Sequence, residues 1–170
     1  MRKLYLNQKV WSFREKFAIC DANDRPVYHA VGSVFQIPKH FDILDLQDNR
    51  VASVIKQPMT WLPRFYLKIA GQQVATIQKK FTLFKPRYEL SAAGLTVTGD
   101  FWDMNFTVSR RGKVIGTVAK RWFSIGDKYE ITIQDDTDSL LLVGLVIAID
   151  YVKRAEQAAS SSSSTFNGSN

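Results

Sequence analysis

The chain has one cysteine, two histidines and a single long hydrophobic run, and each scarcity removes a class of protein. Cys20 cannot close an intramolecular disulfide, and its apolar setting, KFAIC, suits a small packed thiol, so burial is expected of it rather than reactivity. His29 and His40 lack cysteine partners, H-x-x-x-H spacing and acids at ligand spacing, which leaves a transition-metal site without support. Neither G-x-G-x-x-G nor G-x-x-x-x-G-K-[ST] occurs, and G-x-S-x-G and H-E-x-x-H are missing too. Without glycine loops to cradle phosphates, or the nucleophile and metal frames of hydrolases, no cofactor, no metal and no catalytic residue is expected.

The hydrophobic run is LLLVGLVIAI, ten residues from Leu140 to Ile149, with Asp138 before it and Asp150 after it. A spanning helix needs about 20 apolar residues, so no transmembrane segment is expected. The amino-terminal stretch MRKLYLNQKVW carries charge where a secretory signal would be apolar, and the expectation is a cytoplasmic protein.

What the chain does contain is 45% hydrophobic residues, spread through most of its 170 positions, enough for one domain over residues 1–158. The remaining residues 159–170, ASSSSSTFNGSN, have almost nothing to bury and read as a disordered serine-rich tail. Charge is unevenly placed within a net of +7: residues 61–125 hold eleven Lys/Arg against three Asp/Glu. Such an excess suits an anionic partner, phospholipid or nucleic acid, although it also suits a plain solvated face.

Self-comparison is more informative. RFYLKIAGQQVATIQKKFTLFKPRYEL from Arg64 lies ungapped over NFTVSRRGKVIGTVAKRWFSIGDKYEI from Asn105, a spacing of 41. Shorter versions begin at Phe17 and Phe41, each with an aromatic-x-aliphatic start, a polar turn and a β-branched return. The period of two in Phe41/Ile43, Phe65/Leu67 and Phe106/Val108 is that of half-buried strands, and Gly71 and Gly112 can take the positive φ of a tight turn. Eleven or twelve strands between Leu4 and Gln134 make the protein mainly β and antiparallel, with a closed barrel favoured because closure removes edges.

After Ile133 the pattern changes to QDDTDSLLLVGLVIAIDYVKR. Asp138 or Ser139 can cap a helix, and Lys153 and Arg154 suit its carboxyl end. A helix apolar on all sides needs protein or lipid around it, yet Gly144 and the β-branched residues keep a buried strand open on local preference alone. The acids Asp42, Asp45 and Asp48 read as turn and strand-end residues. Asp135, Asp136 and Asp138 could form an irregular calcium loop, but helix capping is the simpler role.

The order of motifs resembles the LURP-one-related family, which belongs with the tubby-like carboxyl-terminal fold and the phospholipid scramblases. The resemblance runs from LYLNQKVWSFREKFAICD through FDILD, VATIQKK, YELSAAGLTVTGDFWDMNFTV, VIGTVAKRW and DKYEITI to LLLVGLVIAID. It implies a twelve-stranded closed barrel around a central hydrophobic helix, about residues 139–154. Tubby proteins bind phosphoinositides, scramblases are associated with lipid movement and plant members are linked to defence. The palmitoylated cysteine cluster of scramblases is lacking here, and tubby's lipid-binding residues have no matched positions, so no family site residue carries over.

One candidate site comes from the hairpins themselves. In VASVIKQ, VATIQKK and IGTVAKR the return strands hold Lys56, Lys79 and Lys120 at one phase, followed in two cases by Lys80 and Arg121. Return strands of successive hairpins run the same way, so these five residues should gather at one rim of the barrel. There they could bind an anionic ligand or simply keep strand ends soluble. Trp61, Trp102 and Trp122 near them could insert at a membrane interface, stack on bases or complete the core, and core packing is the simplest. The expected function is therefore a noncatalytic binding module for an anionic partner such as phospholipid head groups, cytoplasmic or peripheral at the membrane. Nucleic-acid binding and lipid movement are the alternatives.

Overall fold

The computed structural model describes residues 1–7, 16–33, 38–80, 87–92, 94–100, 103–121 and 128–163, with backbone alone at 7, 16–17, 79–80, 87–88 and 154–163. The alternating segments form twelve strands: β1 (Arg2–Asn7), β2 (Lys16–Asp21), β3 (Pro26–Gly32), β4 (His40–Leu44), β5 (Arg50–Lys56), β6 (Arg64–Ile69), β7 (Gln72–Lys80), β8 (Arg87–Ser91), β9 (Leu95–Asp100), β10 (Asn105–Arg110), β11 (Lys113–Arg121) and β12 (Lys128–Ile133). They make one sheet ordered β8-β7-β6-β5-β4-β3-β2-β1-β12-β11-β10-β9, with every neighbouring pair antiparallel. Among the described residues β8 and β9 share no ladder, so the barrel is nearly closed.

The repeats reappear as repeated geometry. Four hairpins carry a bulge at the same place, three residues after the opening aromatic: at Ile19/Cys20, Ile43/Leu44, Leu67/Lys68 and Val108/Ser109. A bulge bends a strand and increases its twist, which a small barrel needs. Their turns fall into two pairs. Asp21 Oδ1 accepts from the N–H groups of Asn23 and Arg25, just as Asp45 Oδ1 accepts from Gln47 and Asn49. Ala70–Gly71 and Arg111–Gly112 instead place two successive residues at positive φ, the tight turn that matches strand twist.

Side chains alternate apolar inward and polar outward. In β12 Tyr129, Ile131 and Ile133 are buried while Lys128, Glu130 and Thr132 are partly exposed. This is the reverse of a membrane-spanning barrel, whose outer band is apolar. Cys20 lies on the outer face opposite Tyr5, partly buried, and desolvation raises its pKa.

The apolar run is a helix, α1 (Ser139–Ser163), and it fills the barrel. Leu142, Val143, Leu145, Val146, Ile147 and Ala148 have no exposed surface, and consecutive helical positions point in all directions, so protein surrounds the helix. Among the described residues, no helix is long and apolar enough to cross a membrane.

Both ends of the expected helix need correction. Asp138 and Ser139 do not act as simple caps: Asp135 accepts from the Thr137 N–H to start a short 3₁₀ turn over Asp136–Asp138, and α1 follows. Asp136 instead takes Arg2 at 2.6 Å and the Ser139 hydroxyl at 2.8 Å, while the buried Asp138 pairs with Arg110 at 2.7 Å. The start of the helix is thus tied to β1 on one side and to β10 on the other. At the far end Lys153 and Arg154 do not close the helix, which continues through residues 159–163 of the expected tail. Alanines 155, 158 and 159 favour helix, and no proline or glycine intervenes before Gly168. The remainder of the tail, 164–170, lies outside the described residues.

Side chains of helix and sheet fill the space beside two glycines. A Cβ on Gly116 of β11 would lie 2.4 Å from Leu142 Cδ1 and 2.7 Å from the Thr132 carbonyl, and one on Gly144 of α1 would lie 2.4 Å from Leu67 Cδ1. Each leucine occupies the space of a missing side chain. Gly116→Ala is expected to cost about 1–3 kcal/mol through overpacking. Gly144→Ala should cost less, because alanine recovers about 1 kcal/mol of helix propensity. Urea denaturation of both variants checks the order; an unchanged midpoint for Gly116→Ala would contradict this packing.

Candidate anionic-ligand rim

The hairpin turns at Asp21–Arg25, Asp45–Asn49, Ala70–Gly71 and Arg111–Gly112 share one end of the barrel with the start of α1. β5, β7 and β11 run parallel to one another through their antiparallel neighbours and finish at the opposite end. Lys56, Lys79, Lys80, Lys120 and Arg121 therefore share that end, as hairpin geometry requires. They form two arcs. Lys56, Lys79 and Lys80 belong to β5 and β7, separated only by β6, whereas Lys120 and Arg121 lie on β11, beyond the β8/β9 break.

The arcs differ electrostatically. On β11 the Arg121 guanidinium lies 3.3 Å from Glu130, which also takes Lys3 at 3.3 Å. Burial pushes the Glu130 carboxyl upward, but hydrogen bonds from Arg121 and Lys3 outweigh it and leave the pKa below the usual range. Lys120 faces Tyr129 across the ladder and lies near Lys153 where α1 emerges. Burial holds Lys153 below the usual lysine range, while Asp150, Asp103 and Asp100 pull it back up. Much of the positive charge on this arc is met by the protein's own carboxylates.

The other arc has a second lysine beside Lys56. The Lys56 N–H donates to the Lys39 carbonyl at 2.9 Å, and both residues line a groove of about 370 Å³ with Pro38, Pro58, Met59 and Trp61. Trp61 is 97% exposed, so the expectation that it completes the core is overturned. The Gln57–Arg64 backbone bond closes the base of the loop that carries it. Trp102 and Trp122 lie outside the described residues. Lys39 escaped the sequence reading because it precedes a strand instead of ending one.

The acids considered for calcium have protein partners. Asp135 accepts from Thr137, and these bonds, from backbone and then hydroxyl, lower its pKa. Asp136 is lowered chiefly by Arg2. Among the described residues no group of three or more His, Cys, Asp or Glu is placed to hold a metal.

The sequence model of the LURP-one-related family matches residues 2–150, which spans every strand and α1 as far as Asp150. The chain belongs to the LURP-one-related family. An uncharacterized protein of Bacillus subtilis (strain 168), YxjI, is 29% identical over 152 residues, covering 89% of this chain and 94% of that one. An X-ray structure of a protein from Arabidopsis thaliana superposes with a TM-score of 0.59 at 12% identity, covering 88% of this chain and 90% of that one. At that identity the likeness shows the fold.

Within this LURP-one-related barrel, the last matched residue is also the polar interruption of the helix. Asp150 is buried, and the buried Tyr129 hydroxyl donates to it at 2.7 Å. Next to it Tyr151 meets Phe41 and Phe65 edge-on, with centroids 5.1 and 5.2 Å away. The carboxylate thus fixes the depth of α1 against β12 just below the rim. Tyr129→Phe removes a hydrogen bond to a buried acid and should cost about 1–3 kcal/mol. Thermal unfolding checks it, and an unchanged melting temperature would show that Asp150 does not depend on this partner.

Proposed function

We propose that this protein is a noncatalytic binding module whose basic rim engages phospholipid head groups at an anionic membrane surface, which makes it cytoplasmic and peripheral to the membrane. The observation that carries this reading is the common direction of β5, β7 and β11, which delivers Lys56, Lys79, Lys80, Lys120 and Arg121 to one end of the barrel. The β5–β7 arc, with Lys39, bears most of the interaction, because Arg121 is engaged by Glu130.

Attraction of basic residues to an anionic membrane is worth about 1 kcal/mol each and fades within a Debye length of about 10 Å at 0.1 M salt. Three or four engaged lysines give measurable, salt-sensitive binding. Cosedimentation should show the protein on phosphatidylserine-containing vesicles at low salt and not on neutral ones, and Lys56→Glu/Lys79→Glu should abolish the difference. A parallel titration with single-stranded and duplex nucleic acid tests the other anionic class. Equal binding by the double variant, or binding to nucleic acid alone, would contradict the proposal.

A further inference from the structure

The β5–β6 connection, QPMTWLP over residues 57–63, stands at the basic end. Its base is fixed: the Gln57 N–H donates to the Arg64 carbonyl at 2.8 Å, and the Tyr66 hydroxyl donates to the Gln57 side chain. Pro58 and Pro63 restrict the backbone further. A well-anchored loop of this kind would ordinarily carry polar residues at its tip. Here Met59 is 103% exposed and Trp61 97%.

Met59 also has φ 54°, in the left-handed region where glycine or asparagine is adopted at lower cost. Neither turn chemistry nor solubility accounts for a methionine there. The other large exposed hydrophobics among the described residues, Met1, Leu46 and Val114, lie toward the opposite, turn-bearing end. Here Met59 and Trp61 line one groove with two lysines, Lys39 and Lys56.

We infer that loop 57–63 is a membrane-docking wedge: Trp61 and Met59 enter the interfacial layer of an anionic bilayer while Lys39 and Lys56 meet its phosphates. The inference rests on the lipid-surface reading above and adds to it a requirement for the apolar layer beneath the head groups. Tryptophan suits that depth because its ring is apolar and its N–H can still reach a polar partner. The flexible methionine fills irregular space between acyl chains.

The test uses the full chain with vesicles of phosphatidylcholine and phosphatidylserine, comparing wild type, Met59→Ser/Trp61→Ser and Lys56→Glu/Lys79→Glu. Both loop positions are exposed, so the loop variant should keep the wild-type melting temperature. Its affinity should fall roughly ten- to hundredfold, as expected from the loss of two buried apolar side chains. Lipids brominated on the acyl chain should quench part of the wild-type tryptophan fluorescence, and that quenched part should be missing in Trp61→Phe. If the lysine variant loses binding while the loop variant binds like wild type and bound wild type shows no quenching of Trp61, the wedge is wrong and the head-group reading stands. If the wild type itself does not bind anionic vesicles at low salt, both are wrong. If the loop variant instead loses binding to single-stranded nucleic acid while vesicles are ignored, Trp61 is a base-stacking residue and the wedge is refuted.

Discussion

Enclosure of an apolar helix is the constraint on which the remaining structure depends. From Leu142 to Ala148 the helix has no side to show to water, and leaving even one aliphatic side chain exposed forgoes about 1.5–3 kcal/mol against a typical domain stability of about 5–15 kcal/mol. A flat sheet covers one face of a helix, so the sheet has to curl around it. The four bulges at equivalent positions supply the curvature, and Gly116 and Gly144 allow the close approach. Barrel and helix complete a single core, and neither buries its apolar face without the other.

With the middle of the helix uniformly apolar, axial position has to be set by polar groups at its ends. At the start, Arg2 from β1 and Arg110 from β10 hold Asp136 and Asp138. Near the exit, Tyr129 holds Asp150. This arrangement leaves the chemistry of the two ends distinct: carboxylates and their arginines at one, strand-terminal lysines and an exposed tryptophan loop at the other. The proposed membrane-facing surface is the end that the helix leaves.

Much of this was legible in the sequence because it follows from period and repeat. Phe41/Ile43, Phe65/Leu67 and Phe106/Val108 disclosed the inward face, the 41-residue spacing disclosed related hairpins, and hairpin direction alone brought Lys56, Lys79, Lys80, Lys120 and Arg121 to one end. Features that depend on distant residues were not legible. The Arg110–Asp138 pair joins positions 28 apart, and nothing in SRRG marks one of its arginines as the partner of a buried acid. The bulges lie within unbroken alternation and leave no compositional trace. The exposure of Trp61 was not legible because tryptophan usually buries its ring, and here it stands on loop 57–63, whose base Gln57 and Arg64 close.

Native-state hydrogen exchange tests the mutual dependence of barrel and helix most directly, because it reports the opening free energy of each amide. If α1 is the core, the amides of Leu142 to Val152 should exchange only through global unfolding, with the same opening free energy as those of β5, β6 and β12. Helix amides that exchange far faster than these strands would mean that α1 leaves an intact barrel, and would contradict the account.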